Sequence, residues 1–322
     1  MYSLREAASF HAPGTYVLDI ANTSLGLLSL TSDHRLSLLR HDLGGVVKSF
    51  ETGHGIMGVV SDGVVCTAGE AGGVSVWDLR AGSRVASFQG VDAPIISLAC
   101  DASSHSIAVG TELHDHNASI VIWDVRAAAS QKRLYTEVHS DDITELKFHP
   151  NDPSILLSGS TDGLVNLCDT RIADEDEVVI QTFNHGASIH HAGFLSNTEV
   201  YALSHDERFA VYSGAEEHER GVAIKDFGDV RESLGCQYVA GATTKVDGSG
   251  GILGVGSHDQ QMFSLVHFAK NGAAWEMDGG NRVNLPGAHG EEIVRGFCFF
   301  DEQQVVYTCG EDGKVKAWHP ES

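Results

Sequence analysis

The chain has 322 residues, with 21 Lys and Arg against 44 Asp and Glu, for a formal net charge of −23. That balance argues against non-specific nucleic-acid binding and against an anionic membrane surface, because phosphates are repelled rather than neutralised. A hydrophobic content of 42% excludes a wholly disordered chain, and 36 glycines against 6 prolines exclude collagen and proline-rich linkers and suit many tight turns between short strands.

From the start of the chain, Met1 to Glu6 lacks the charged-then-apolar build of a secretory signal, and no apolar run approaches the roughly 18 residues of a spanning helix. Cysteines stand at 66, 100, 168, 236, 298 and 309, with no Cys-x-x-Cys pair and mostly inside apolar, strand-like segments. They are expected to be buried free thiols in a reducing compartment, which places the chain in the cytoplasm or nucleus, without metal. Trp77-Asp78 and Trp123-Asp124 each close a stretch of alternating apolar residues. The clearest unit follows: His139 to Phe148, Ile155 to Ser160, then Asp162-Gly163 and Leu164 to Asp169. A second copy runs from His289 through Val305 to Gly310 and closes with Asp312-Gly313 and Lys314 to Trp318. Each copy reads as apolar strands separated by turn residues, with Asp-Gly turning the chain between the last two.

This self-similarity resembles the WD-repeat family of β-propellers, with a period of roughly 40–45 residues and four strands per blade. The residues equivalent to the repeat's tryptophan are Leu39, Trp77, Trp123, Cys168, Tyr212, Leu265 and Trp318, spaced 38, 46, 45, 44, 53 and 53 residues apart. The fold expected from the resemblance is all-β: one seven-bladed propeller over residues 1–322. A spare N-terminal segment, Ser3 to Phe10, supplies the strand that the last blade lacks. The family's buried hydrogen-bond set maps onto His289, Thr308, Asp312 and Trp318, and a partial set onto His139, Ser158 and Asp162, broken by Cys168. A His/Ser/Asp grouping invites a catalytic-triad reading, but one that recurs with the blade period serves to satisfy buried polar atoms. No nucleophile elbow, phosphate loop, dinucleotide fingerprint or zinc-protease motif is present in the sequence. No catalytic residue, cofactor or metal is therefore expected, and His114-Asp115-His116, in an enlarged loop, and His190-His191, opening the inner strand of the fifth repeat, are read as solvated histidines rather than metal ligands.

Surface residues remain to carry function. Three successive repeats end in Asp78-Leu79-Arg80, Asp124-Val125-Arg126 and Asp169-Thr170-Arg171. Trp-Asp-x-Arg resembles the box by which WD-repeat substrate receptors dock on the adaptor of cullin-4-type ubiquitin ligases, and Arg80, Arg126 and Arg171 are the implied contacts. The plainer reading is that each arginine satisfies its own turn. Two acidic runs, Asp174 to Glu177 and Glu216 to Glu219, fall in the turns after the third strands of two neighbouring repeats. They suit either solvation or a basic protein client, ribosomal or histone-like. Asp142 and Glu292 stand where inner strands begin and are candidate peptide contacts at the mouth of a central channel. Trp275 and Met277, in a long turn of the sixth repeat, form either an exposed apolar anchor or a packing contact. A closer likeness to one branch of the family is carried by Gly159 to Asn166, His205-Asp206-Glu207, Asp229 to Glu232 and Gly310-Glu311-Asp312. It implies an interaction scaffold or a ligase substrate receptor; with the charge arguing against nucleic acid and membrane, protein partners and a monomeric propeller within a complex are expected.

Overall fold

In the computed structural model, which describes residues 2–89, 91–126, 131–245, 248–300 and 303–320, the alternating apolar segments are short antiparallel strands. Met1 and the last two residues of the expected span lie outside the described residues. Five four-stranded meanders cover residues 17–51, 56–89, 95–135, 143–184 and 189–229. The remaining nine strands form one sheet, made of two groups of four, the sixth and seventh sheets, and one extra strand: the repeat architecture of a WD-repeat β-propeller. No helix among the described residues is long and apolar enough to cross a membrane.

The chain divides into two compact units. The first comprises Met1–Met57, Asp78–Ser83 and Arg231–Ser322, and the second Gly58–Trp77 and Arg84–Val230. In the second, the core is built between consecutive meanders: Ile120, Ile122 and Tyr135 pack with Ile143, Leu146 and Leu156, and Phe183 and Ile189 with Val200 and Tyr212. The second strands are buried along their whole length, as in Ser106–Thr111 and Glu199–Ser204, so both of their faces are covered.

In the first unit, Val294–Phe300, Val305–Gly310 and Lys314–Pro320 form three strands, and Tyr2–His11 adds the fourth. The N-terminal strand pairs antiparallel from Leu4 opposite Pro320 to His11 opposite Lys314, so the spare segment does complete the last sheet. Leu4 is buried with Trp318, Phe263 and Leu285, and Lys316 Nζ lies 2.8 Å from Glu6. The same strand begins in parallel with Val283 and Asn284, which joins the sixth and seventh sheets into one. At the turn before Lys314, Gly313 has φ +70° and its Cα faces the carbonyls of Ala12 and Thr15. A Cβ there would sit 2.7 and 2.5 Å from those oxygens, so glycine is required on both counts.

The sixth sheet departs from the expected register. Its third strand, Met262–Asn271, is ten residues long: one half pairs Val283–Pro286, and the other folds back on an extra strand, Ala274–Met277. Inner strands throughout carry a register shift near their start, for example between Ile143 and Glu145, Ile189 and His191, Val239 and Gly241, and Val294 and Gly296. Counting from that shift, Trp318 lies opposite Val306 and Phe299, whereas the matching residue of the sixth sheet is Phe268, opposite Gly251 and Thr244. Leu265 therefore sits three positions early. Phe268 is fully buried and packs 6.0 Å from the Trp275 ring.

Candidate functional site

The polar sets at the repeat ends come first, because they decide whether chemistry is available. In the seventh sheet, His289 Nδ1 lies 2.6 Å from Asp312 and its Nε2 lies 2.8 Å from Thr308 Oγ1, which also accepts from Trp318 Nε1 at 2.9 Å. Burial pushes the Asp312 carboxyl up, but the hydrogen bond and charge of His289 and the Lys314 N–H outweigh it, leaving the group below its usual range. The connectivity is that of a catalytic triad, yet Thr308 is fully buried and its oxygen is shared between an imidazole and an indole. It has neither a substrate face nor a spare lone pair aimed at one, so the arrangement ties strands together.

The fourth sheet repeats the connection with His139 2.9 Å from Asp162 and 2.8 Å from Ser158. Cys168 replaces the indole, and burial pushes its thiol up to about 12. In the fifth sheet the set is rebuilt. Ala202 stands where Ser158 and Thr308 stand, and His185 Nδ1 instead meets the Tyr212 hydroxyl at 3.0 Å. His185 Nε2 is buried without a hydrogen-bond partner among the described residues, and burial together with Arg208 lowers the imidazole pKa. His11, at the matching place before the first repeat, is exposed on the N-terminal strand.

The three repeat-end arginines share one local geometry. The Asp78 carboxylate accepts from the N–H groups of Arg80 and Ala81, at 2.8 and 2.9 Å, and Lys48 Nζ donates to the carbonyls of Leu79 and Arg80. Asp124 accepts from the Arg126 N–H and also from its Nε and Nη2, at 3.0 and 2.7 Å. Asp169 holds Arg171 in the same fork, with Nε at 2.9 Å and Nη2 at 2.6 Å. The hydrogen bonds from Arg126 hold the Asp124 carboxyl far below its ordinary range. Arg126 and Arg171 are nevertheless 63% and 69% exposed, so one edge of each fork is spent locally and the rest faces solvent.

Other candidates separate in the same way. Asp142 is half-buried, and its carboxylate accepts from the Leu113 N–H at 2.8 Å, which pins the enlarged loop containing His114 and His116. Glu292 is exposed, in a turn closed by its own N–H on the His289 carbonyl. Trp275 is 4% exposed and lies under Lys270, 5.9 Å from the ring, so it packs rather than forming an anchor. The acidic runs differ from each other. Glu216 to Glu219 is a solvated turn, whereas Asp174 caps a short helix, Glu175–Val178, and Glu175 accepts from the N–H groups of Thr136 and Glu137 at 2.6 and 2.7 Å. His190 and His191 open the inner strand Ile189–Phe194, as expected, but are partly buried rather than solvated. His191 is 3.0 Å from the buried Glu145, and His190 stacks on both His191 and His205. No three His, Cys, Asp or Glu side chains among the described residues converge as metal ligands.

Sequence reasoning passed over Lys132 and Arg133. Arg133 Nε and Nη2 donate to the carbonyls of Thr170 and Arg171 at 3.1 and 2.9 Å, and Tyr135 Oη donates to that of Ile172 at 2.6 Å. Together with Glu175 they strap the connection after Asp169 to the strand Gln131–Tyr135. The available signal was compositional: Lys132-Arg133 is the only adjacent pair of basic residues in an acidic chain.

Comparison with known proteins agrees with this architecture. The WD domain, G-beta repeat family model matches residues 131–169 and 281–319, the two copies that carry the His–hydroxyl–Asp sets. An uncharacterised WD repeat-containing protein of Saccharomyces cerevisiae is 35% identical over 98% of this chain and 82% of its own length. A second, from Schizosaccharomyces pombe, is 34% identical over 82% of each chain. The WD repeat-containing protein 89 homolog of Dictyostelium discoideum is 30% identical over 51% of this chain and 43% of its own, and represents the branch whose likeness the latter repeats carry. Proteins built from these repeats generally serve as scaffolds for protein–protein interaction and typically have no enzymatic activity. With five four-stranded sheets and a nine-stranded one among the described residues, two matched repeats and relatives of the same kind aligned over most of the chain, the chain belongs to the WD-repeat family of β-propeller proteins.

Proposed function

We propose that the chain is a non-enzymatic adaptor of the cytoplasm or nucleus, a single closed propeller that works as a monomer within a multiprotein complex. Its sharpest form is a substrate receptor docked on the adaptor of a cullin-4-type ubiquitin ligase through Arg80, Arg126 and Arg171. The observation that supports it is the threefold recurrence of one turn: an aspartate caps its own backbone and precedes an arginine by two residues in three consecutive repeats. Arg126 and Arg171 are, in addition, steadied by that aspartate and still largely exposed. A fork steadied on one edge loses less side-chain entropy when a partner carboxylate or carbonyl takes the other. The reading requires co-purification with the ligase adaptor from native cells, and recovery that survives changing all three arginines to alanine would sink it.

A second reading has its own support in the exposed run Glu216 to Glu219, with Asp176 and Glu177 exposed in the preceding repeat's turn. These acidic groups, in a chain of charge −23, suit capture of a basic client, with steering that weakens as salt is added. Equal capture of basic proteins at low and high salt rejects it.

A further inference from the structure

Two grooves flank the turn between the first and second strands of the fourth sheet, and Asp152 lines both. On one side, a groove of about 410 Å³ gathers Lys132, Arg133 and Arg171 beside Pro153 and Thr170. Arg133 is held by the Thr170 and Arg171 carbonyls, and Arg171 by Asp169, so neither guanidinium needs further ordering. On the other side, a groove of about 360 Å³ is lined by Ile155, Leu167 and Ile180, with Asn151 and Asn197 at its margin. Ile180 is 48% exposed, which leaves apolar surface in contact with water. The turn between the grooves is rigid: His149 Nδ1 accepts from the N–H groups of Asn151 and Asp152, its Nε2 lies 3.1 Å from the Asn197 carbonyl, and Asp152 binds the Ser154 hydroxyl at 2.6 Å.

We infer that this surface is a docking site for a short segment of a partner protein that carries an acidic side chain beside an aliphatic or aromatic one. Charge decides the class. Lys132, Arg133 and Arg171 line the groove with Asp152, and Asp169 beside it is paired with Arg171, which leaves an excess of one positive charge that matches a single carboxylate and is too small to hold a phosphate polymer against a chain of −23. The apolar groove adjoining it accounts for the second half of the motif, since a buried apolar anchor next to a steadied charge pair is the usual composition of an interaction hot spot. The inference rests on the reading of the chain as a protein-binding scaffold. It does not need the ligase adaptor, and of the docking arginines it uses only Arg171.

The test is selection of displayed random short peptides on the intact chain, followed by affinity measurement on the best binder. Enriched peptides are expected to pair Asp or Glu with Leu, Ile or Phe. Lys132→Glu and Ile180→Asp are each expected to weaken the best peptide about tenfold or more. Both side chains are exposed, so both variants should keep the parent melting temperature, and recovery of the ligase adaptor by them reports on the other proposal separately. Peptides lacking the acidic–apolar pairing, an affinity that neither substitution moves, or displacement of the peptide by a single-stranded oligonucleotide overturns the inference.

Discussion

The seventh and fifth sheets solve one problem with different chemistry. Both bury a histidine in the connection before the first strand, yet His289 is satisfied on both nitrogens, by Asp312 and Thr308, whereas His185 meets the Tyr212 hydroxyl on Nδ1 and has no partner on Nε2 among the described residues. The difference begins with two residues. Ala202 removes the hydroxyl that Thr308 supplies, and Tyr212 replaces an indole that only donates with a phenol that also accepts. The fourth sheet stands between them, with the histidine satisfied and the indole gone. A histidine at the family spacing is therefore no guarantee of the family hydrogen-bond set. What is preserved is burial of an imidazole, and the partners vary with what the second and third strands bring.

The comparison can be broken at four levels. The seventh sheet borrows its outer strand from the far end of the chain, while the fifth is one continuous meander. Deleting residues 2–11 should cost several kcal/mol through lost ladder bonds and the lost Leu4 contact, with amide exchange rising around Trp318 well before it rises around Tyr212. Thr308→Val strands both His289 Nε2 and the Trp318 N–H and should destabilise by roughly 3 kcal/mol in denaturant melts. Ser158→Ala strands one partner in the fourth sheet and should cost about 1–2 kcal/mol; equal losses at the two positions would mean that the indole bond adds nothing. Ala202→Ser offers His185 Nε2 the hydroxyl it lacks, and a gain below about 1 kcal/mol is expected, provided the fully buried site takes the extra atom without overpacking.

Titration separates the two sheets by pH window, with smaller effects. Burial lowers the folded pKa of His185 below its unfolded value of about 6.5, so its contribution to stability is present above that value and is lost as pH falls toward the folded pKa. The Asp312 carboxyl is also depressed, by His289, so its contribution is present above an unfolded value of about 3.9 and fades only at lower pH. Melts between pH 7 and 5 should thus report the fifth sheet, whereas the seventh responds only below about pH 4, together with other depressed carboxyls such as Asp162. His185→Leu should shrink the first window, to which His205 also contributes, and leave the second in place, and a variant that changes both alike would contradict the assignment.

Much of this was legible in the residues. Alternation and Asp-Gly turns located the strands, and the 29-residue spacing from His139 to Cys168 and from His289 to Trp318 located the two best sets. Where reading failed, the cause was long-range. Leu265 looked like a repeat end because an apolar residue stood at a plausible interval, but a third strand that runs on to Asn271 moves the equivalent place to Phe268. Trp275, in a turn-rich segment, could be read either as an exposed anchor or as a packing contact, and only the folding back of that segment as a strand against Phe268 decides for packing. Glu175 looked like one charge in a solvated run, and only the approach of the strand Gln131–Tyr135 shows that its carboxylate closes two backbone donors.

The sequence by itself determined the repeat, the all-β class and the N-terminal strand of the last sheet, since side-chain alternation and turn chemistry act over a few residues. The charge of −23 likewise needs no structure to exclude polyanions as easy partners. Only the tertiary structure decided which nitrogen of which histidine is satisfied and which carboxylate is spent on backbone. It alone brought Lys132 and Arg133 beside Arg171, some 40 residues away in the chain. Those outcomes depend on register between strands and on the approach of neighbouring sheets, and neither is written in local periodicity.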